Sequence, residues 1–452
     1  MAGKSGVQPS EILEQRENIR RPKLLFLARP FPPLRAIGCV RTWNMAKYLA
    51  RSGWDVTVVT PLPSVWRDVE DTGELSIRLG KEGIQRILTQ YWWRFLEPGG
   101  LICCNRGLPW VLGGVCRRLV RWLQVDTGIG WAKAAELACA FLTPNDVDLI
   151  LATGSPFSSF GLAKRVSDRL GQPYVLDYRD PWTDNPYVPS RPSEKRIREE
   201  RQLLEGCAAA TVASPSWAAG INRHFGVGSK LHVITNGYDP EELATIKPYA
   251  FGHFAIVYTG DFYPPKRVIT PVMAALKSIK ETTNNNGRAW YFHYYGGKEN
   301  HVRDEAMKFG IIDRVVVHGN VPRTEALSAV RGANIAVVIT SIEDKFTNQD
   351  AGMIPAKLFE ALGLRTPILI IGPPGADVNT IVETAGLAAR FSGSEVNAMK
   401  SFILNAMSGQ APGPKKPETY AWEPMIEKLN NILLASLGET VCCLESYRGS
   451  RR

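Results

Sequence analysis

Short, uninterrupted apolar runs recur along this sequence and alternate with helical patterns. The first two runs, Leu24–Ala28 and Asp55–Thr60, lie on either side of a helical stretch at about Val40–Arg51. The runs are continuous rather than alternating, which is typical of strands in a parallel sheet that is covered on both faces. A strand, a helix and a second strand joined by short links form a βαβ unit. The sequence therefore predicts an α/β fold.

The same alternation continues in two blocks. The later runs of the first block are VDLILAT, PYVLDYRD, AAATVAS and KLHVITNG. The runs of the second block are FAIVYTGDF, RAWYFHYYGG, DRVVVHGNV, NIAVVITS, TPILIIGP and GLAARFS. Because 452 residues are too many for one ordinary core, we expect two doubly wound, Rossmann-like domains at 23–240 and 250–410 that face each other across a cleft. Ligands of such sheets bind beyond the carboxyl ends of the strands, so the loops that follow strands are the candidate site.

Further segments lie outside these two cores. We expect a disordered polar leader at 1–22, an amphipathic closing helix at 418–436 and a tail at 437–452. Residues 86–124 suggest an insertion in the first domain, with six arginines, one acidic residue and four tryptophans. Such a segment suits the surface of an anionic bilayer. The alternative is a partly buried helical insertion with solvated arginines, and nucleic-acid binding is disfavoured because no fold signature for it accompanies the segment.

The bulk composition limits the setting but not the activity. The net charge of +10 is compatible with an anionic partner of several kinds. The eight cysteines form no CxxC pair, which favours free thiols in a reducing compartment. The first twenty residues have no apolar core of an export signal, and no charge-free apolar run reaches the roughly 18 residues of a spanning helix. We expect a cytoplasmic protein that can lie on the inner face of the plasma membrane.

The segment DAGMIPAKLFEALGLRTPILIIG, Asp350–Gly372, has the most informative charge pattern. Pro355 suits the first position of a helix, because the N–H that it lacks would be unpaired there anyway. The N–H groups of Ile354, Ala356 and Lys357 would then point out of the helix start. Together with the helix dipole, they would form an anion site of the kind that binds phosphate.

Three residues complete the features of this segment. Gly352 allows a close approach of the chain, and Lys357 would add a point charge. Glu360 lies one turn further along the helix, so it can face the same pocket and accept hydrogen bonds from two neighbouring hydroxyls, such as those of a ribose. The alternative interpretation is an ordinary pair of Lys357 and Glu360 on a solvated helix face.

The loop YTGDFYPPKRVITP follows the first strand of the second block. Gly260 allows a tight turn directly after the strand, and Lys266 and Arg267 come at the end of the loop. Two adjacent cations there could neutralise a departing diphosphate as its bond breaks. The alternative is two solvated loop cations.

Two loops of the first block also carry charged residues. Asp177, Arg179 and Asp180 follow the run YVLDY, and carboxylate and guanidinium groups there suggest a polar-ligand site. An internal arginine–aspartate salt bridge that orders the loop is the alternative. The first loop, ARPFPPLRAIGCVRTW, places Gly38 before a helix, and Arg35 and Arg41 would lie near any ligand. This loop has neither the GxGxxG nor the GxxxxGK[ST] pattern.

Several catalytic patterns are absent from the sequence. None of the six histidines lies in the loops of the first block, and neither HExxH nor GxSxG occurs. A serine hydrolase with a Ser-His-Asp triad and a zinc hydrolase are therefore disfavoured.

Taken in order, these motifs resemble a known family. The motifs are the PFPP loop, SGWDVTVVT, DYRDPW, NGYD, YTGDFYPPKR, YYGG, VVVHGNV and GMIPAKLFEALGLRTPILIIG. Their order and spacing over about 23–410 resemble the family 4 glycosyltransferases of GT-B fold, in particular a bacterial subgroup with an RD-W loop and a PxKLFE helix. The resemblance implies a retaining transferase that uses a nucleotide-diphosphate sugar, with the donor mostly on the second domain and the acceptor mostly on the first.

The resemblance also implies residue roles. The implied donor-binding residues are Gly260, Gly352, Met353, Ile354, Pro355, Ala356, Lys357, Glu360 and Val321. The implied catalytic residues are Lys266 and Arg267 on the diphosphate and Glu360 on the ribose. From their place after a strand of the first block, we also expect Arg179 and Asp180 to act in catalysis by orienting the acceptor or the sugar. The expected acceptor-binding residues are Gly38, Arg35, Arg41 and Asp177. No metal and no resident cofactor are expected, because the cations and the helix start supply the charge.

Three positions depart from the family pattern. Many relatives carry a glutamate eight positions before the one at Glu360, where this chain has Gly352. Many also have an arginine where Asp261 stands, and a histidine where Arg179 and Asp180 stand. These changes leave the identity of the sugar open.

Two other functions fit the same architecture. A nucleotide-sugar 2-epimerase would need histidines and carboxylates in the loops of the first block, and the histidines are lacking. The second function is that of a degenerate transferase that serves as a scaffold or sensor. The missing glutamate is the feature that favours it. The leading interpretation is a hexosyltransferase acting on a polysaccharide or lipid-linked glycan.

Overall fold

The computed structural model describes residues 20–65, 69–91, 126, 128–186, 191–282, 289–387 and 390–438. The strands are β1 (Lys23–Leu27), β2 (Asp55–Pro61), β3 (Gln85–Thr89), β4 (Leu149–Gly154), β5 (Tyr174–Tyr178), β6 (Ala209–Val212), β7 (Leu231–Val233), β8 (Phe254–Thr259), β9 (Trp290–Tyr295), β10 (Val315–Gly319), β11 (Ile335–Ile339), β12 (Ile368–Ile371) and β13 (Arg390–Phe391). The helices are α1 (Ile37–Arg51), α2 (Thr72–Glu82), α3 (Ile129–Ala138), α4 (Ser158–Leu170), α5 (Glu194–Gly206), α6 (Pro215–Phe225), α7 (Pro240–Thr245), α8 (Thr270–Thr282), α9 (Glu299–Lys308), α10 (Arg323–Gly332), α11 (Asn348–Ala351), α12 (Ala356–Gly363), α13 (Asp377–Ala385), α14 (Val396–Met407) and α15 (Trp422–Ser436).

The strands of the described residues form two sheets with the same internal order. The first sheet runs β3-β2-β1-β4-β5-β6-β7 and the second runs β10-β9-β8-β11-β12-β13. In both sheets the order reverses beside the first strand of the block, and the pairs around β1 and β8 are parallel. Each is therefore a doubly wound sheet with a topological switch point, where ligands of such folds bind.

The continuous apolar runs arise because helices cover both faces of each sheet. Along β8, Val257 packs into one core cluster with Leu358 and Phe359 of α12. Its neighbours Ile256 and Tyr258 pack into the cluster on the other face. A residue on either face is thus removed from water, and the strand has no polar side. The predicted strands from the apolar runs are all confirmed.

The edge strand β3 has no counterpart among the predicted apolar runs. Its residues include exposed and half-buried positions, so an edge strand of this kind has no continuous apolar run to reveal it. The insertion expected from residue 86 therefore overlaps the sheet at its start, whereas 92–124 lie outside the described residues. The leader 1–19 and the tail from 439 also lie outside them.

The contacts divide the chain into two units. The first comprises Met1–Arg179, Ser193–Thr211 and Glu427–Arg452, and the second comprises Asp180–Pro192 and Val212–Ile426. This division differs from the expected boundary after residue 240. The reason is that α6 packs within the second unit, where the Trp217 indole N–H donates to the carbonyl oxygen of Gln349 at 2.7 Å.

Candidate functional site

The turn after β8 brings the backbone close to α12. Gly260 has φ +87°, a left-handed conformation that side-chain-bearing residues rarely adopt. A Cβ at this position would lie 3.2 Å from Lys357 Nζ. The glycine therefore serves both the turn and the close approach to the lysine.

The start of α12 presents free N–H groups, as the sequence predicts, but one residue later. Pro355 is the N-cap, with φ −73° and ψ 141°, and the helix begins at Ala356. The first helical hydrogen bond runs from the Leu358 N–H to the Pro355 carbonyl oxygen at 3.0 Å. The N–H groups of Ala356 and Lys357 precede that bond, so they have no partner within the helix.

The Lys357 side chain turns toward β8 instead of toward Glu360. Its ammonium donates to the Thr259 carbonyl oxygen and lies 3.9 Å from the centroid of the Tyr258 ring. Burial lowers the pKa of Lys357 to about 7, and nearby Arg267 also lowers it, while Glu360 and Asp261 raise it. The expected alternative, a Lys357–Glu360 pair on a solvated face, is therefore not formed.

Glu360 is paired with an arginine that the sequence analysis does not single out. Arg323, the first residue of α10, donates from Nη2 to Glu360 Oε1 at 2.7 Å, and from Nη1 to Glu242 Oε1. Burial alone would lower the pKa of Arg323, but the two carboxylates raise it above its usual value. The sequence signal for Arg323 is its place at the start of the helix that follows β10, two residues beyond Val321.

Lys266 is held by a buried aspartate. Its ammonium donates to both carboxylate oxygens of Asp350, at 2.7 and 2.6 Å. Asp350 is 3% exposed, and its carboxylate also accepts hydrogen bonds from the Thr347 hydroxyl and N–H at the start of α11. Burial would raise the pKa of Asp350, but the Lys266 and Thr347 hydrogen bonds lower it overall. Lys266 thus occupies a defined position instead of pointing into solvent.

Arg267 differs from its neighbour in having no anionic partner among the described residues. Its side chain is 8% exposed, and its Nε makes no hydrogen bond. The guanidinium carbon lies 5.3 Å from the Tyr263 ring centroid. Its charge contributes to the low pKa of Lys357, which places the two cations near each other. A buried arginine without a counter-charge is costly unless a ligand supplies that charge.

The position of the family's first glutamate has no room for a side chain. A Cβ on Gly352 would lie 2.4 Å from both Ser214 Oγ and Trp217 Cδ1. Met353, next to it, is buried, and Ile354 is half-buried. The backbone of this segment therefore packs directly against α6. Val321, expected at the donor site, is half-buried and packs against the core that contains α12.

In the first unit, Arg41 and Asp177 form an internal ion pair. Arg41 donates from Nη2 to Asp177 Oδ1 at 2.6 Å, and the two side chains are 3% and 0% exposed. The hydroxyls of Thr153 and Thr211 donate to the same carboxylate. The structural alternative expected for this loop is thus realised, with Arg41 as the partner of Asp177. Both side chains are therefore inaccessible to an acceptor, in contrast to the expectation that Arg41 and Asp177 bind one.

The remaining candidates of the first loops occupy different environments. Arg179 donates from Nε to the Gly154 carbonyl oxygen at 3.0 Å. A Cβ on Gly38 would lie 2.1 Å from Arg179 Nη1, so the glycine allows this arginine to pack against the start of α1. Arg35 is exposed. Asp180 is half-buried and belongs to the second unit.

The two doubly wound parallel sheets and the loops after β8 and β11 define a GT-B glycosyltransferase fold. Residues 40–242 match the model of Glycosyltransferase Family 4. This match covers somewhat less than half of the chain and supports the resemblance seen in the motifs. A comparison with curated protein sequences gave no significant match.

Solved structures show the same fold over nearly the whole chain. Sucrose-phosphate synthase from Thermosynechococcus elongatus is 17% identical, with a TM-score of 0.64, and the match covers 92% of this chain and 99% of that one. A glycosyltransferase from Rickettsia africae is 15% identical, with a TM-score of 0.59 and coverage of 93% and 100%. Anabaena HepE in complex with UDP-glucose is 14% identical, with a TM-score of 0.56 and coverage of 91% and 99%.

Two kinds of feature are absent from the described residues, a membrane-spanning helix and a metal-binding cluster. No helix there has the length and apolar character that crossing a membrane requires. No cluster of three or more histidine, cysteine, aspartate or glutamate side chains in that part of the chain is arranged to hold a metal ion.

Proposed function

We propose that this protein is a retaining glycosyltransferase that takes its sugar from a nucleotide-diphosphate donor bound to the second unit. The observation that carries this proposal is the buried, anion-free guanidinium of Arg267. It is close to Lys357, whose backbone N–H lies at the start of α12. A diphosphate would supply the missing negative charge to both the guanidinium and the helix start.

Each residue of this region has a proposed role. Arg267 and the N–H groups at the start of α12 stabilise the diphosphate as it leaves, and Lys266 adds a cation whose position Asp350 holds. Glu360 accepts hydrogen bonds from the ribose hydroxyls. HepE has been solved with UDP-glucose, which supports a nucleotide sugar as the donor.

The proposed reaction needs no group beyond donor and acceptor. The bond between the anomeric carbon and the diphosphate oxygen breaks, and a bond from that carbon to the acceptor oxygen forms on the same face. The acceptor hydroxyl gives its proton to the leaving diphosphate. We propose that no metal and no resident cofactor take part, because Arg267, Lys266 and the helix start supply the positive charge.

We propose a polysaccharide or lipid-linked glycan as the acceptor, on the first unit. Arg35, which lies just before α1, is exposed and would favour a polar acceptor there. The basic, tryptophan-rich composition of 92–124 favours an acceptor at an anionic membrane surface on the cytoplasmic side.

Calorimetric titration of the purified protein with UDP, GDP and ADP tests the donor site. We expect one nucleotide to bind, and Glu360→Ala to weaken that binding by about 10-fold or more, because a charged hydrogen-bond acceptor is lost. Glu383→Ala, which removes an exposed carboxylate of α13, is the matched control and should bind as wild type. Absence of binding to any of the three would contradict the proposed donor site.

A product assay separates the proposed transferase from the two alternatives. We expect sugar from a labelled donor to appear in a membrane-extract acceptor and the transfer to fall in Glu360→Ala. An epimerase would change the sugar of the donor without any acceptor. A scaffold or sensor would bind the nucleotide sugar and release it unchanged with every acceptor tried.

A further inference from the structure

One guanidinium in the second unit connects two carboxylates from different helices. Arg323 stands at the start of α10, Glu360 lies in α12 and Glu242 in α7. The two nitrogen ends of the guanidinium are used separately, since Nη2 donates to Glu360 and Nη1 donates to Glu242. The three side chains are 33%, 15% and 39% exposed, so Glu360 is the innermost of them.

We propose that Arg323 is a positioning residue that fixes the Glu360 carboxylate for the ribose hydroxyls of the donor, with Glu242 as the anchor that holds Arg323. This inference rests on the proposed function, because it explains how the same site would recognise the ribose hydroxyls. Arg323 itself does not contact the reacting atoms in this proposal. It acts through the carboxylate that it holds.

The hydrogen bonding of Glu360 supports this role. Among the described residues, the one hydrogen-bonded partner of its side chain is Arg323, which donates to Oε1 at 2.7 Å. The other carboxylate oxygen accepts no hydrogen bond from those residues and stays able to accept one from a ligand. A carboxylate with one oxygen held by a guanidinium has lost most of its rotational freedom, so binding a hydroxyl needs little further ordering.

Glu242 keeps Arg323 from using both nitrogen ends on Glu360. A guanidinium that faces one carboxylate alone tends to bind both of its oxygens in a bidentate pair. Here the second nitrogen end is taken by Glu242, which leaves one oxygen of Glu360 for a ligand. Burial and the nearby Glu360 raise the pKa of Glu242, while Arg323 lowers it.

Lys357 is the cation that would compete for Glu360 if Arg323 were absent. It lies three positions earlier on α12, and Glu360 acts on its pKa. In the structure its ammonium is instead occupied by the Thr259 carbonyl oxygen. With Arg323 on the carboxylate and Thr259 on the ammonium, Glu360 and Lys357 do not pair with each other.

The test compares a nucleotide with its counterpart that lacks the ribose hydroxyls. The probes are UDP, GDP or ADP, whichever binds wild type most tightly, and the 2′,3′-dideoxy form of the same nucleotide. We expect wild type to prefer the hydroxylated form by about 10-fold or more, from hydrogen bonds to a charged acceptor. Arg323→Lys keeps the charge but lacks the planar guanidinium whose separate nitrogen ends hold the two carboxylates, so it should reduce this preference to about 3-fold or less.

The control removes another arginine of α10 that hydrogen-bonds to α7. Arg331 on α10 donates to the carbonyl oxygens of Leu243 and Ile246, at and just after α7, at 2.9 and 2.5 Å. Arg331→Lys should therefore lower the melting temperature without changing the preference for the hydroxylated nucleotide. Glu242→Gln, which keeps Arg323 and Glu360, should reduce the preference partly and serves as the second variant if Arg323→Lys does not fold.

The outcomes separate this inference from the proposed function. If wild type binds none of the nucleotides, the proposed function fails and the inference fails with it. If wild type prefers the ribose form, Glu360→Ala abolishes the preference, and both Arg323→Lys and Glu242→Gln retain it in full, the inference alone is overturned. Equal loss of affinity for both forms in Arg323→Lys would also overturn it, because that pattern indicates a purely structural role.

Discussion

At the scale of single residues, the adjacent cations Lys266 and Arg267 have opposite surroundings. Lys266 forms an ion pair with Asp350, whereas Arg267 is 8% exposed and has no anionic partner within the described residues. Removing Lys266 leaves the buried Asp350 carboxylate without its cation, which is unfavourable. Removing Arg267 eliminates a buried charge that has no anionic partner, which is not. The same substitution should therefore have contrasting effects at the two positions.

We predict that Arg267→Met leaves the free energy of unfolding unchanged or raises it, and weakens nucleotide diphosphate binding by about 10- to 100-fold. Lys266→Met should instead lower the free energy of unfolding by about 1–2 kcal/mol, because Asp350 stays buried without its cation. Urea unfolding and calorimetric titration of both variants check these effects. A large loss of stability in Arg267→Met would contradict the assignment of Arg267 to a ligand.

Gly352 stands at a position that has no room for the glutamate of the family pattern. A glutamate at this position would overlap Ser214 and Trp217, which lie 2.4 Å from the place of its Cβ. The chain therefore cannot contact the donor sugar through a carboxylate at 352 without moving α6.

At the scale of elements, three neighbouring strands carry a chain of hydrogen-bonded histidines. His253 precedes β8, His293 lies in β9 and His318 in β10. His293 bonds through Nε2 to His253 at 2.8 Å and through Nδ1 to His318 at 3.0 Å. Burial, followed by His318 and His253, lowers the pKa of His293 to about 4. Burial also lowers the pKa of His318, although Glu325 of α10 acts to raise it.

This histidine chain predicts a stability that rises with pH. Between pH 4 and 6.5, an unfolded chain binds a proton at His293 that the folded protein does not, so acidification through this window favours unfolding. The effect is on the order of 3 kcal/mol. The His293 ring packs beside Phe251, and His293→Phe keeps an aromatic ring at that place. This variant should reduce the loss of stability between pH 7.5 and pH 5 in urea unfolding.

An exposed histidine outside the sheet provides the control for this prediction. His224 of α6 is exposed, and His224→Gln should keep the wild-type dependence on pH. The same pH dependence in His293→Phe as in wild type would show that the strand histidines do not cause it.

At the scale of the whole molecule, the end of the chain completes the core of the first unit. Asn430 of α15 accepts a hydrogen bond at 2.7 Å from the indole N–H of Trp54, which precedes β2. Trp54 is 2% exposed, and the two residues are 376 positions apart in sequence. The closing helix is therefore part of this unit from Glu427 onward.

We predict that Asn430→Leu destabilises the first unit by about 1–3 kcal/mol, because it leaves the buried Trp54 N–H without an acceptor. Hydrogen exchange of β1 and β2 should become faster, while that of β8 and β11 stays as in wild type. Glu427→Gln changes an exposed residue of the same helix and should leave both rates unchanged. Unchanged exchange of β1 and β2 in Asn430→Leu would contradict this role of the helix.

The sequence by itself determined the strands that form apolar runs, the parallel character of the sheets and the loops that hold the candidate residues, because apolar periodicity is a local property. It did not reveal the edge strand β3, whose residues are partly exposed. Only the tertiary structure decided which charges are paired, since the partners are distant in the chain. Lys266 meets Asp350 across 84 positions, Glu360 meets Arg323 across 37, and Arg41 meets Asp177 across 136. These pairings leave Arg267 as the buried cation without an anion among the described residues, which no spacing in the sequence shows.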